Sequence, residues 1–184
     1  MKRALVLLAA CTPAKHPSWA TPTTPIGPAH RGEHALHFGG GCQEQGVTAV
    51  SKTDAVLIVT CTVGQAITAY FVRRSAPDRG TSQQLGAWDQ HRESGEAYSI
   101  DGATHDRVVV RHERGVSTEL RIYDPARDAF TGQVITGAEV TVVVAPGGAS
   151  ATAFVCEPAR GESWNREKTC SEQTGAQTRM IAID

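Results

Sequence analysis

From residue 46 onward the apolar positions fall into short runs broken by turn residues. Val47-Thr48-Ala49-Val50 is the first. Residues 55–63 are an almost unbroken β-branched run, Gly64-Gln65 interrupts it, and 66–74 resumes it. Two β-prone runs around a two-residue Gly-X step predict a hairpin. Residues 116–123 alternate instead: Leu120 and Ile122 point to one side, Glu119, Arg121 and Tyr123 to the other. Alternation of period two marks an antiparallel strand with one buried and one wet face. Further strands are predicted over 82–88, 97–100, 107–112, 130–135, 139–145, 151–156 and 180–183. Turn chemistry separates them at 75–80, Asp101-Gly102, 124–128 and Gly147-Gly148. No segment sustains the 3.6-residue period of an amphipathic helix. Roughly ten short strands spaced by turns predict an all-β fold, an antiparallel sandwich or barrel, with a single β-rich domain over 34–184. A propeller needs at least four blades of about 40–45 residues, which this chain is too short to supply.

The first eleven residues follow a different pattern. Lys2 and Arg3 precede the apolar run 4–10, and the small residues Ala9 and Ala10 lead into Cys11. Charge, apolar stretch and small residues in that order are the layout of an export signal. A membrane-spanning helix would need about 20 apolar residues, and no stretch of the chain approaches that. Leu8-Ala9-Ala10-Cys11 resembles the lipobox of bacterial lipoproteins. The resemblance implies cleavage before Cys11, lipidation of that cysteine, and a protein tethered to a bacterial membrane, the outer one by expectation, facing the periplasm. A secreted or soluble periplasmic protein is the alternative. Residues 12–33 contain Pro13, Pro17, Pro22, Pro25 and Pro28. Proline fixes φ and removes backbone donors, so this stretch is expected to be a semi-extended tether between anchor and domain.

The remaining cysteines fit an exported chain. Cys42, Cys61, Cys156 and Cys170 are even in number, which in an oxidising compartment predicts two disulfides. Three connectivities are open, and proximity favours Cys42–Cys61 with Cys156–Cys170. The latter would close a loop of about 15 residues, worth about 3 kcal/mol in the chain-entropy model. A zinc site and unpaired buried thiols are the competing readings, although no C-x-x-C pair is present. His30, His34 and His37 would share one face of a helix and could hold a metal there. Gly32 and Gly39-Gly40-Gly41 argue instead for a loop or edge strand, and no metal or cofactor is expected. Lys and Arg number 18 against 19 Asp and Glu, a formal net charge of -1. A nucleic-acid binder would carry a basic surplus gathered on one face, so that class of partner is set aside. With aromatic residues at 5%, a base-stacking platform is set aside as well.

No G-x-S-x-G, H-E-x-x-H, G-x-G-x-x-G or P-loop occurs, and no residue is assigned a catalytic role. The densest polar cluster is Arg107, Arg111, His112, Glu113 and Arg114 around a valine run; Arg107, Arg111 and Arg114 are candidate contacts for an acidic partner. A solvated strand end and hairpin is the plainer reading of the same residues. Ser94-Gly95-Glu96-Ala97-Tyr98-Ser99 is similar to the Ser-Gly-x-x-Tyr loop of the periplasmic and membrane-bound lysozyme inhibitors. That resemblance covers six positions and implies that Ser94 and Tyr98 probe a hydrolase cleft. The function expected is therefore a non-enzymatic, lipid-anchored protein-binding module, an inhibitor or immunity protein whose partner is a toxin or cell-wall hydrolase. A structural or assembly lipoprotein of the envelope or a secretion apparatus is the second expectation, and an enzyme of unrecognised type the third.

Overall fold

A computed structural model describes residues 32–90, 95–157 and 177–184. Every regular element among them is a strand, apart from a 3-10 turn at Pro146–Gly148. The described residues gather into two compact units, one before and one after residue 92, where the sequence pattern suggests one domain over 34–184. Turn-punctuated strand patterns look alike within a domain and across a boundary, so periodicity does not reveal such a division.

The first unit holds β1 (His34–Ala35), β2 (Cys42–Ala49), β3 (Ala55–Val63), β4 (Ala66–Ala76) and β5 (Arg79–Asp89). They form one five-stranded antiparallel sheet in the order β1-β5-β4-β3-β2. The β-branched run 55–63 becomes β3, as its pattern predicts. Its hairpin with β4 turns on Gly64-Gln65, and Gly64 takes φ +62, the left-handed value that a Gly-X turn needs at its first position. On one face Leu57, Val59, Cys61, Tyr70 and Val72 pack with Leu36, which arrives from the segment after β1. Opposite them on the other face, Val56, Ile58 and Phe71 are also buried. Asp54, at the entry to β3, accepts hydrogen bonds from Arg73 Nε at 3.0 Å and Nη2 at 2.6 Å, and both side chains are buried.

The second unit holds β6 (Ala97–Ala103), β7 (Val108–Arg114), β8 (Ser117–Asp124), β9 (Ala129–Gly137), β10 (Glu139–Val144), β11 (Ala151–Glu157) and β12 (Gln177–Ile183). Strands β6-β7-β8-β9 form one sheet and β10-β11-β12 another. Val109, Leu120, Ile122 and Ile135 from the first pack on Val140, Ala151, Ala153, Val155 and Ile183 from the second. Two side chains tie the sheets together. Gln133 Nε2 donates to the Ala182 carbonyl at 2.8 Å on the β9–β12 side. Arg111 Nη2, on β7, donates to the Val140 carbonyl of β10 at 2.7 Å. The unit is thus a sandwich of two antiparallel sheets.

The alternation along 116–123 holds for its inner face, where Leu120 and Ile122 join the core. Its outer face divides. Glu119 and Arg121 are half-buried, whereas Tyr123 is buried, stacks edge-on against Phe130 and donates from its hydroxyl to Asp128 Oδ1 at 2.5 Å. Cys42 and Cys61, directly opposed on β2 and β3, form a disulfide. Cys156 is disulfide-bonded as well; Cys170, its expected partner, lies outside the described residues, as do Cys11, Ser94, His30 and most of the expected tether. No helix among the described residues is long and apolar enough to cross a membrane.

Candidate functional site

A row of polar side chains crosses the β6–β9 sheet near the β7–β8 turn. The two-residue turn Gly115-Val116 sets the β7–β8 register, placing His112 opposite Glu119 and Arg114 opposite Ser117. The β6–β7 register places Tyr98 opposite His112, and β8–β9 places Thr136 opposite Glu119. Tyr98, His112, Glu119 and Thr136 therefore form one row across four strands. Cross-strand partners of this kind lie close enough to interact directly. The Tyr98 and His112 rings stack with centroids 4.2 Å apart and planes 1° from parallel. His112 Nε2 donates to Glu96 Oε1 at 2.9 Å. Arg121 Nε donates to Glu119 Oε1 at 2.5 Å. Tyr98 is only 5% exposed. Burial pushes the pKa of its phenol above the ordinary tyrosine value; Glu96 and Glu119 add to that, while Arg121 and Arg114 oppose it.

The three arginines singled out by sequence have different surroundings. Arg111 forks onto Asp101, from Nε at 2.9 Å and Nη2 at 2.6 Å, besides its bond to the Val140 carbonyl. Burial works against its charge, but the hydrogen bond and charge of Asp101, together with Glu113, outweigh this and raise its pKa further. Arg107 donates to the Asp106 carbonyl at 2.7 Å and lies 3.6 Å from the Asp124 carboxylate. Both guanidinium groups are thus committed to ties within the fold. Arg114, beside the Gly115-Val116 turn, is exposed. Tyr98 lies on β6 opposite His112 of β7, its ring buried and stacked on the imidazole.

No protein-family model matches the chain, and neither a curated protein nor a solved structure matches it. The chemistry of the site must then come from its own residues. Glu96 accepts a hydrogen bond from His112 and Glu119 accepts one from Arg121, so each of these four side chains has a partner beside it. Beside them lies a shallow depression of about 320 Å³ lined by Val116, Ser117, Thr136, Gly137, Ala138 and Glu157. Among the described residues no group of three or more His, Cys, Asp or Glu side chains is placed to hold a metal. His34, one of the three histidines considered for such a site, spends Nδ1 on the Gly32 carbonyl at 2.8 Å and Nε2 on Ser82 Oγ at 3.1 Å.

Sequence reasoning passed over Glu96, Glu119 and Arg121 as site residues. Glu119 and Arg121 were within reach, because a two-residue turn at Gly115-Val116 makes His112 and Glu119 partners. Glu96 was not. Its approach to His112 depends on the β6–β7 register, which contains an irregularity between Ile100 and Gly102 and follows no short turn.

Proposed function

We propose that this chain is an exported, lipid-anchored, non-enzymatic protein-binding module, an inhibitor or immunity protein that meets a toxin or cell-wall hydrolase in the periplasm. The observation that carries the reading is the Cys42–Cys61 bridge. Disulfides form and persist outside the reducing cytoplasm, which agrees with the charge, apolar run and Cys11 at the N-terminus. A stapled β scaffold presents hairpins and strand ends rigidly, and rigid presentation limits the entropy lost on binding. The exposed Arg114, the shallow depression at Val116 and the half-buried Glu119 and Arg121 supply a polar contact surface with a small apolar element.

Two measurements test this reading. In a bacterial host, the mature protein should lack residues 1–10 and carry a lipid, by intact mass and by incorporation of labelled palmitate; Cys11→Ser should lose the lipid and leave the membrane fraction. A mature chain that retains Met1 overturns the anchor. The purified domain should also lower the activity of at least one member of a defined panel of peptidoglycan glycosidases, amidases and endopeptidases, with Arg114→Glu weakening the effect about tenfold or more. If no enzyme of the panel is inhibited and expression protects no cells from them, the inhibitor reading fails.

A further inference from the structure

We infer that the Cys42–Cys61 disulfide is a reducible latch that holds the edge strand β2 on its sheet. β2 contributes little to the core. Of its eight residues, Cys42 and Thr48 are half-buried and the others exposed, Val47 at 62%. The cluster on that face of the sheet takes only Cys42 from β2. By contrast Val56, Leu57, Ile58 and Val59 of the adjoining β3 are fully buried. The β2–β3 ladder is interrupted between Gln45 and Thr48, where Gly46 takes φ +63. A bulge leaves residues unpaired and weakens the local ladder. Beyond the backbone, β2 is held by Arg74, which forks onto Glu44 from Nη1 at 3.1 Å and from Nη2; Glu44 is exposed and Arg74 half-buried, so water screens the pair on its outer side and it does not replace a packed face. The covalent bond therefore supplies the attachment that packing does not.

The two sulfurs differ in access. Cys42 is half-buried at the open edge, whereas Cys61 is 5% exposed within the cluster. The thiolate of a dithiol reductant attacks Cys42 Sγ, forming a mixed disulfide; the Cys61 sulfur leaves as a thiolate and takes up a proton. The reductant's second thiol then attacks its own sulfur in the mixed bond and releases Cys42 as a thiol. Two electrons pass to the protein and the dithiol becomes a disulfide. With the latch open, β2 detaches while β3, β4 and β5 keep their ladders, and the outer edge of β3 becomes available.

Hydrogen exchange of the full chain under graded dithiothreitol tests this, with thiol alkylation and peptide mass mapping to record which cysteines are reduced. At the reductant level where Cys42 and Cys61 alkylate and Cys156 does not, amides of 42–49 should exchange about tenfold faster or more, while 66–76 and 108–124 keep their protection. Cys42→Ala should show the same local loss without reductant. Unchanged exchange over 42–49, reduction of Cys156 before Cys42, or loss of protection that spreads equally to 66–76 in both experiments would overturn the latch.

Discussion

Single residues do two kinds of work here, and sequence type separates them poorly. Gly80 reads by sequence as the last residue of a turn cluster, yet it lies in β5 and a Cβ there would sit 1.9 Å from the Arg73 carbonyl oxygen. That contact is with backbone, which cannot swing aside as a side chain can. Gly80→Ala should therefore destabilise the first unit by about 1–3 kcal/mol, read as a lower urea midpoint. Tyr98 offers a complementary test. Its phenol and that of Tyr70 are both pushed above the ordinary value, chiefly by burial. For an acid kept neutral by the fold, stability is present below the unfolded pKa of about 10 and is lost as pH rises through the folded value. Unfolding midpoints should thus fall as pH is raised past about 10. Spectrophotometric titration should show late-ionising tyrosine that diminishes in Tyr98→Phe; a full complement of tyrosines ionising as free phenols would contradict the buried Tyr98–His112 stack.

At the scale of elements, the β3–β4 hairpin was legible, whereas Asp101-Gly102, a turn by sequence, lies inside β6 at a register irregularity, and the ties between sheets were not legible. The β3–β4 hairpin follows from a β-branched run, a Gly-X step and a second run. The β7–β8 register follows from Gly115-Val116. Both are local and need no knowledge of the rest of the chain. The role of Arg111 is not local. It links β7 to Asp101 on β6 and to the Val140 carbonyl on β10, across two sheets. With its side chain 15% exposed and that of Asp101 21%, water compensates only partly for loss of the pair. Arg111→Met should cost about 1–3 kcal/mol in chemical denaturation, because a largely buried carboxylate and a carbonyl lose their donor. Arg111→Lys should recover part of this, since it keeps the charge and not the planar fork. If Arg111→Met unfolds at the wild-type denaturant concentration, the tie between β7 and β10 carries no stability.

For the whole molecule, the pattern of apolar and polar positions determined the fold class and most strand positions. Period-two alternation and short turn-bounded runs are properties of the chain itself. The even cysteines similarly pointed to a disulfide framework, and the nearness of Cys42 to Cys61 pointed to the pair that forms. Neighbouring strands are consecutive in the chain except for β1, which pairs with β5; that pairing and the packing of one sheet on the other were left to the tertiary structure, because they join segments distant in sequence. So was the division into two units, and so was the burial of Tyr123 on a face whose Glu119 and Arg121 read as wet. The candidate site shows the same limit. Its arginines and Tyr98 were visible by residue type, but the structure commits Arg111 and Arg107 to nearby acids and stacks Tyr98 on His112. It also brings in Glu96, sixteen residues before His112 in the chain. Sequence sets what each side chain can do; long-range strand pairing sets which partners reach it, and so decides which charges are left exposed.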